Sequence, residues 1–419
     1  MTAYLGDVSE LDLAGYIRPG DTVVWGQACA EPLTLTEAVA AQRQRLAGIR
    51  CFTGISSSSA VRPEHCDSLS FASYTAAGAN RGLARAGALD ILPVHYSDLP
   101  LMRVDVIFLS LPPPRPDGTF GLGLGADYIA AMLGHARVVV AEVNDQVPDV
   151  SSDRRLSPAE LDVIVRVSKP PAEYPAAAPR DIENVIARHV ADLVPDGATI
   201  QLGVGSMPSA VARRLRGHRD LGVHSGLITD AVAELIEAGV VTGARKGVDR
   251  GLVVTGFLMG TKRLVELAAA DPAITLRDTR YTHDPAVLAA QTQLIAINSA
   301  TEVDLTGQAN TETANGQYVG AVGGAVDFAR GAARSRGGIP IIALPSTAGP
   351  ASRIVSRLSG PVTVARADTG VIVTEYGVAD LRGLTLAKRR ERMLAIAHPD
   401  HRTALAAAAA TDRPEGASL

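Results

Sequence analysis

The clearest candidate for a chemically active segment is the glycine-rich stretch Leu202–Pro208, which reads LGVGSMP. It follows a β-branched run and opens a stretch typical of a helix. Glycines let backbone amides approach a ligand closely, and a helix N-terminus adds a partial positive charge. Such a loop can bind a phosphate or hold a developing oxyanion. It lacks the third glycine of the dinucleotide fingerprint, so the pattern does not predict that cofactor.

A second glycine cluster and three acids are further candidates. Gly320–Phe328 (GAVGGAVDF) can also expose amides, although a tight turn or β-bulge explains it equally well. Glu302 and Asp304 follow a predicted strand, and Glu375 follows another. Acids at the carboxyl ends of parallel strands face the usual active-site crevice. The alternative is that they cap backbone donors in turns.

Three histidines come next. His224 stands at the end of an apparent strand, Leu221–Val223, whereas His283 and His398 stand in loop-like segments. No pair has the spacing of zinc ligands, so we expect no metal site. A single histidine is more often structural than catalytic. A Ser-His-Asp hydrolase is excluded because the sequence has no Gly-x-Ser-x-Gly elbow.

The elements that must position these residues alternate between strands and helices. Short β-branched runs are separated by Ala- and Leu-rich amphipathic stretches, which predicts an α/β fold with mainly parallel sheets. The predicted strands include 22–25, 104–109, 136–140, 199–202, 294–297, 340–344 and 370–373. The predicted helices include 34–46, 209–215 and 230–239.

The chain divides at a proline-rich segment and repeats itself on either side. Four prolines within 168–179 disfavour both helix and central strand, so we predict domains at 1–168 and 181–419, joined by a linker at 169–180. The turn, strand and glycine around Thr22–Gly26 echo those around Thr199–Gly203. The strands near Val106 and Leu294 form a second such pair. We therefore predict two tandem, pseudo-duplicated α/β domains with a ligand in the cleft between them.

Composition limits the possible functions. The chain has 419 residues, a net charge of -4 and a pI near 6.2, so no basic excess supports binding to nucleic acid or anionic membranes. No apolar run reaches membrane-spanning length, and the first residues do not read as a signal peptide. Three cysteines without metal spacing fit a reduced cytoplasmic setting.

Several longer motifs, in the same order along nearly the whole chain, resemble the acetyl-CoA hydrolase/transferase family, which includes 4-hydroxybutyrate and succinyl-CoA:acetate CoA-transferases. They are Gln201–Pro208 (QLGVGSMP), Asn298–Gln308 (NSATEVDLTGQ), Gly323–Phe328 (GGAVDF), Pro345–Ala348 (PSTA), Thr374–Gly383 (TEYGVADLRG) and Ala397–Asp400 (AHPD). The resemblance implies two CoA-transferase-type domains, coenzyme A bound as a thioester substrate, a small carboxylate acceptor and a homodimer. It implies no metal.

In that family a glutamate attacks the acyl-CoA carbonyl, and a glutamyl-CoA thioester forms by way of a mixed anhydride. The resemblance places Glu375 in the active site and His283 where the family often has an asparagine that binds the acceptor carboxylate. Carried over position by position, it assigns CoA contacts to Gly203, Val204, Gly205, Ser206, Met207, Thr301, Gly323, Gly324 and Gly349.

The sequence departs from the family at the nucleophile. The family's pattern of a strand, His or Tyr, Ser or Thr, and then Glu corresponds here to His224, Ser225 and Gly226. Asp230 matches a family aspartate, which supports this alignment. Glycine has no side chain, so the glutamyl-CoA intermediate cannot form at this position.

Three hypotheses follow. In the first, water or an acceptor nucleophile attacks the thioester directly in the space beside Gly226, oriented by His224, His283 or Glu375. In the second, Glu302 is a relocated nucleophile. In the third, the chain is a non-catalytic CoA-binding or partner subunit. If only the missing glutamate side chain prevents the glutamyl-CoA intermediate, Gly226→Glu is expected to create or raise transferase activity. The acyl group cannot be read from these residues.

Overall fold

The first half of the chain forms one large sheet with short helices. The computed structural model describes residues 2–411. The strands of this half are β1 Ala3–Leu5, β2 Thr22–Trp25, β3 Arg50–Phe52, β4 Ser70–Ser73, β5 Leu89–Ile91, β6 Val106–Leu111, β7 Val138–Asn144, β8 Ser151–Ser152 and β9 Val163–Val167. The helices are α1 Leu33–Gln42, α2 Asn80–Arg85 and α3 Asp127–Met132. A short 3-10 helix spans Tyr96–Leu101.

The second half repeats this organisation and adds small sheets. Its helices are α4 Asp181–Ala191, α5 Ser206–Arg214, α6 Asp230–Glu237, α7 Lys262–Ala270, α8 Thr279–Thr282, α9 Pro285–Ala290, α10 Ala325–Arg334, α11 Leu386–Ala395 and α12 Pro399–Thr411. Its strands are β10 Thr199–Leu202, β11 Gly222–Ile228, β12 Val253–Leu258, β13 Ile274–Leu276, β14 Leu294–Asn298, β15 Glu302–Asp304, β16 Ala309–Asn310, β17 Thr313–Ala314, β18 Gln317–Tyr318, β19 Ile339–Ala343, β20 Thr347–Ala348, β21 Ala351–Ser352, β22 Ile354–Val355, β23 Val371–Thr374 and β24 Gly377–Asp380.

The two large sheets share a strand order. The first runs β1-β9-β7-β6-β2-β3-β4-β5, and the second runs β24-β23-β19-β14-β10-β11-β12-β13-β8. Seven strands of each therefore correspond in order: β9, β7, β6, β2, β3, β4 and β5 with β23, β19, β14, β10, β11, β12 and β13. The sequence predicted that β2 corresponds to β10 and that β6 corresponds to β14, and the strand order agrees with this prediction. Within these two sheets all pairings are parallel except that of β23 with β24, so the predicted α/β class is confirmed.

The halves are closely joined. One continuous apolar core contains residues of both sheets, such as Ile107 and Ile200. Strands buried on both faces read as continuous apolar runs, which is why these runs were recognisable. Short β8 from the first half pairs with β13 at the edge of the second sheet. No regular element occurs at 168–180, and the predicted division of the chain there remains a prediction. Residue 1 and residues 412–419 of the predicted domains lie outside the described residues.

One local prediction is wrong. His224 was expected at the end of a strand, but β11 continues to Ile228, so His224 lies inside it. The Ser225-Gly226 pair has the composition of a turn, yet both residues are in the strand. A glycine inside a strand often marks a close approach by another group, and the site described below shows which group that is.

Within residues 2–411, no helix is both long enough and apolar enough to cross a bilayer.

Candidate active site

A cavity of about 450 Å³ lies between the two halves, and we call it the main cavity. The first half contributes Ile55, Tyr74 and Tyr96, among others, and the second half contributes the ends of β10, β11 and β14. Carboxyl ends of parallel strands commonly form the ligand crevice of α/β folds. The predicted site residues on its wall are Gly203, Val204, Gly226, His283, Gly323 and Gly324.

The first glycine loop lies at the end of β10, as predicted. Gly205 has φ +120°, a backbone conformation that side chains rarely adopt, and the nine-residue helix α5 begins directly after it. Val204 lines the main cavity and also a smaller neighbouring cavity of about 190 Å³, the loop cavity. Gly205, Ser206 and Met207 line only the loop cavity. The loop therefore borders two neighbouring cavities rather than one.

The loop cavity carries a net positive charge. Arg180 and Arg353 line it, together with one acid, Glu183. Burial and the neighbouring Arg180 lower the pKa of Arg353. Arg180 is paired with Glu183 at 2.8 Å, and the same carboxylate accepts a hydrogen bond from Ser206 Oγ at 2.9 Å. Two guanidinium groups and a helix N-terminus form a suitable environment for an anionic group.

Gly226 packs directly against His283 on the wall of the main cavity. A Cβ atom at Gly226 would lie 2.9 Å from Cε1 and 3.1 Å from Nε2 of His283. A Cβ at Gly324 would lie 2.7 Å from the same Nε2. The imidazole is thus inserted between two glycines. It also stacks on the Tyr96 ring at 4.8 Å and contacts the Phe328 ring at 4.8 Å. This insertion explains why glycine occurs within strand β11.

The contacts of His283 assign its tautomer. The Thr282 hydroxyl donates to the Asp278 carbonyl at 3.2 Å, so its oxygen accepts from His283 Nδ1 at 2.9 Å. Nε2 is then the unprotonated nitrogen. It forms no hydrogen bond with any described residue and lies between Gly226 and Gly324 on the wall of the main cavity. Burial, together with the nearby His224, lowers the pKa of His283 to about 3. The imidazole is therefore neutral near pH 7, with its lone pair directed into the cavity.

His224 does not reach the main cavity. Its Nε2 donates to the Thr282 carbonyl at 3.1 Å, and its Nδ1 accepts from Gln291 Nε2 at 3.1 Å. Both ring nitrogens are satisfied, and the side chain is fully buried. His224 therefore holds β11 against the segment that carries His283.

The two predicted catalytic glutamates lie elsewhere. Glu302 is in β15 and accepts hydrogen bonds from Asn310 Nδ2, from Ser359 N and Oγ, and from Gly360 N. Glu375 accepts from Ser346 N at 2.9 Å and from its hydroxyl. Neither lines the main cavity, and none of the described residues on its wall is an aspartate or glutamate. A carboxylate nucleophile is thus missing from the whole wall and not only from position 226.

Two of the residues assigned to CoA contacts also lie off both cavities. Thr301 donates its hydroxyl and its amide to the Asn310 carbonyl, both at 2.8 Å. Gly349 is exposed, with φ +58°, in the turn between β20 and β21. The second glycine cluster does line the main cavity. It is joined to the first half by the bond from the Thr75 hydroxyl to the Gly320 carbonyl at 3.1 Å.

The aromatic wall was not predicted from the sequence. Tyr74 and Tyr96 line the cavity, and their hydroxyls bond Gln27, which follows Gly26. The echo of Gly26 with Gly203 was the only signal available for this region. Of the described residues, no three His, Cys, Asp or Glu side chains are grouped as metal ligands.

Comparisons with known proteins agree with this architecture. The acetyl-CoA hydrolase/transferase N-terminal domain matches residues 4–172, and the C-terminal domain of that family matches residues 260–409. The chain is 37% identical over 338 residues to the 4-hydroxybutyrate coenzyme A transferase of Clostridium kluyveri, covering 78% of this chain and 79% of the relative. It is 33% identical to the butyryl-CoA:acetate CoA-transferase of Anaerostipes caccae, covering 93% and 92%. The crystal structure of RipA from Yersinia pestis superimposes with a TM-score of 0.90 at 34% identity, covering 95% of each chain.

The fold and the site define an enzyme of the CoA-transferase or acetyl-CoA hydrolase class. The chain belongs to the acetyl-CoA hydrolase/transferase family.

Proposed function

We propose that the protein cleaves acyl-CoA thioesters by direct attack of water or a small acceptor nucleophile, without a glutamyl-CoA intermediate. The observation that carries this proposal is the pairing of Gly226 with the unprotonated Nε2 of His283, on a wall with no carboxylate. Of the three groups considered from the sequence, only His283 lies beside Gly226 on the wall of the main cavity.

Coenzyme A is proposed to extend from the loop cavity into the main cavity. Arg180 and Arg353 would contact its anionic groups, and the amides near Val204 would lie beside the thioester oxygen. Val204 borders both spaces, which supports a ligand that passes from one to the other. Gly323 and Gly324 would contact the opposite side of the thioester.

With water as the nucleophile, His283 would transfer a proton from the attacking water to the leaving thiolate. Water bound at Nε2 forms the new C–O bond as one of its protons passes to that nitrogen, and the carbonyl oxygen becomes an oxyanion. The tetrahedral intermediate then expels the thiolate by breaking the C–S bond. The proton moves from His283 to sulfur, and the new carboxylic acid loses its own proton to solvent. An imidazole with a pKa of about 3 is a weak base, so we expect slow turnover.

The structure disfavours Glu302 as a relocated nucleophile. Its carboxylate accepts bonds from three residues, and an anhydride there would break them. The residue also lies off the main cavity wall.

A non-catalytic subunit would require neither an open cavity nor an unpartnered His283 Nε2 on its wall. We expect a homodimer, as the family resemblance implies, and a cytoplasmic setting, as the cysteine usage indicates; light scattering tests the dimer.

Thiol release and chemical trapping together test the proposal. The purified protein is incubated with butyryl-CoA, with and without acetate, and treated with borohydride before peptide mass spectrometry. We expect free CoA thiol to accumulate without any adduct, both in the wild type and in Glu302→Gln. An adduct at Glu302, or abolished turnover in a folded Glu302→Gln variant, would falsify direct attack. CoA binding without thiol release under any condition would instead identify a non-catalytic subunit.

A further inference from the structure

The wall of the main cavity next to the reacting position is hydrocarbon. Phe328 would lie 3.8 Å from a Cβ at Gly226, and its ring meets His283 edge-on. Leu227 follows Gly226 in β11 and pairs in register with Phe257 of β12, and both line the cavity. Apolar carbon from these residues therefore lies along one side of the position at which the acyl carbonyl must react.

The two tyrosines extend this apolar wall because their hydroxyls are engaged behind it. Tyr74 donates to Gln27 Oε1 at 2.7 Å, and Tyr96 accepts from Gln27 Nε2 at 2.6 Å. Gln27 is 1% exposed and does not line the cavity. The two rings pack edge to face at 5.3 Å. A ligand on this side meets aromatic carbon and no free hydroxyl.

Charge on the described part of the wall is limited to one group. Arg81, on α2, is exposed and forms no ion pair with any described residue. His283 is neutral, and no acid lines the cavity. A second carboxylate on the acyl group would have to reach Arg81 or be buried without a partner, which is costly.

We propose that the acyl group is an uncharged hydrocarbon chain larger than acetyl, bound against Tyr74, Tyr96, Leu227, Phe257 and Phe328. This inference rests on the proposed function, because it assigns the substrate class of the same site. Each buried CH₂ group contributes to binding. The described residues of the wall carry no buried cation, and the unpaired hydroxyl of Ser299 is a neutral donor that cannot balance a second carboxylate, so the wall selects against dicarboxylic acyl groups.

A substrate series tests the inference. We expect kcat/KM for thioester cleavage to rise at least about tenfold from acetyl-CoA to butyryl-CoA and to rise further with hexanoyl-CoA. Succinyl-CoA should be at least about tenfold poorer than butyryl-CoA. If succinyl-CoA is instead the preferred substrate and Arg81→Ala removes that preference, the acyl group is dicarboxylic and the inference is overturned.

A charge introduced into the wall gives a second, independent measurement. Val319 lines the cavity and is 42% exposed, so Val319→Lys can be made without burying the new ammonium group. We expect this variant to lower kcat/KM for hexanoyl-CoA and to raise it for succinyl-CoA. Val362→Lys, at a residue 50% exposed and off the cavity, is the matched control and should change neither. Unchanged selectivity in a folded Val319→Lys variant would count against the inference.

Binding separates this inference from the reaction itself. Thioether analogues of acetyl-, butyryl-, hexanoyl- and succinyl-CoA cannot be cleaved, and calorimetry gives their Kd values. Tighter binding with increasing chain length in a protein that cleaves no thioester supports the substrate class while removing the proposed function. Cleavage of every thioester with equal kcat/KM and equal Kd overturns the substrate class and leaves the proposed function in place.

Discussion

The loops that follow β2 and β10 occupy equivalent positions in the two halves, yet their exposure is opposite. After β2, Gln27 is 1% exposed and makes four hydrogen bonds, to Tyr74, Tyr96, Asp127 and the Ile55 amide. After β10, Val204 is 45% exposed and borders two cavities. One glycine turn has become a buried polar centre, whereas the other remains open to a ligand.

This difference explains how two similar halves form one site. The first half supplies an aromatic wall in which Tyr74 and Tyr96 are held by hydrogen bonds to the buried Gln27. The second half supplies the exposed loop and His283, the groups that would meet the thioester. Changes in the first half should therefore mainly alter stability, and changes in the second half should mainly alter chemistry.

The largest expected effect is on chemistry in the second half. His283→Ala should lower the rate of thioester cleavage by about 10²–10⁴-fold, since it removes the group that orients and deprotonates water. Truncation of this buried ring will also lower the free energy of unfolding, so the rate is measured under conditions in which the variant is folded. Stopped assays of thiol release and urea unfolding measure the two quantities. His398→Ala, at a half-exposed residue away from both cavities, is the control, and an equal rate loss there would contradict the assignment.

The next change restores the missing side chain. The sequence predicted that Gly226→Glu alone would create or raise transferase activity, but its Cβ would lie 2.9 Å from His283. We now expect the single variant to be impaired. Gly226→Glu combined with His283→Asn should transfer CoA to acetate and yield a borohydride-trapped adduct at residue 226. His283→Asn alone is the matched control.

Failure of the double variant would be informative. If it folds and binds CoA but gives no adduct, position 226 is not where the family's nucleophile is missing. If the single variant already transfers CoA as well as the double variant, His283 moves aside easily, and its fixed place between Gly226 and Gly324 is wrong.

The contrast between the loops also shows what the sequence could reveal. Strands such as β2 and β10 were predicted with their full bounds because β-branched runs between turn residues are a local signal. The meeting of Gly226 with His283 joins residues from separate elements, and no local pattern encodes it. Gln27 was missed for the same reason, because its role depends on Tyr74 and Tyr96, which are distant from it in the sequence.

A stability comparison of the two loops should give the next largest effect. Gln27→Leu removes the side-chain hydrogen bond of the Ile55 amide, of the Tyr74 hydroxyl and of Asp127 Oδ2. We expect the free energy of unfolding to fall by about 3 kcal/mol or more, at about 1–3 kcal/mol for each unpaired group. Val204→Ala, at the equivalent exposed turn, should change it by less than about 0.5 kcal/mol. Equal losses by denaturant unfolding would show that the two loops do not differ in this way.

The smallest expected effect is on how the free energy of unfolding changes as the pH falls. Buried groups of the two halves should change it in opposite directions. In the first half, burial raises the pKa of Asp127 to about 6 and of Glu142 to about 7. The native state then binds these protons more tightly than the unfolded state, so each group adds stability as pH falls from 7 toward 4. In the second half, burial lowers the pKa of His224 and His283 to about 3, so each removes stability below pH 6.5. Glu142→Gln should make the loss of unfolding free energy on acidification steeper, and His283→Asn should make it shallower, by up to about 1.4 kcal/mol per pH unit each. Urea unfolding between pH 7.5 and 4.5 measures both slopes, and shifts of the same sign would remove the distinction between the halves.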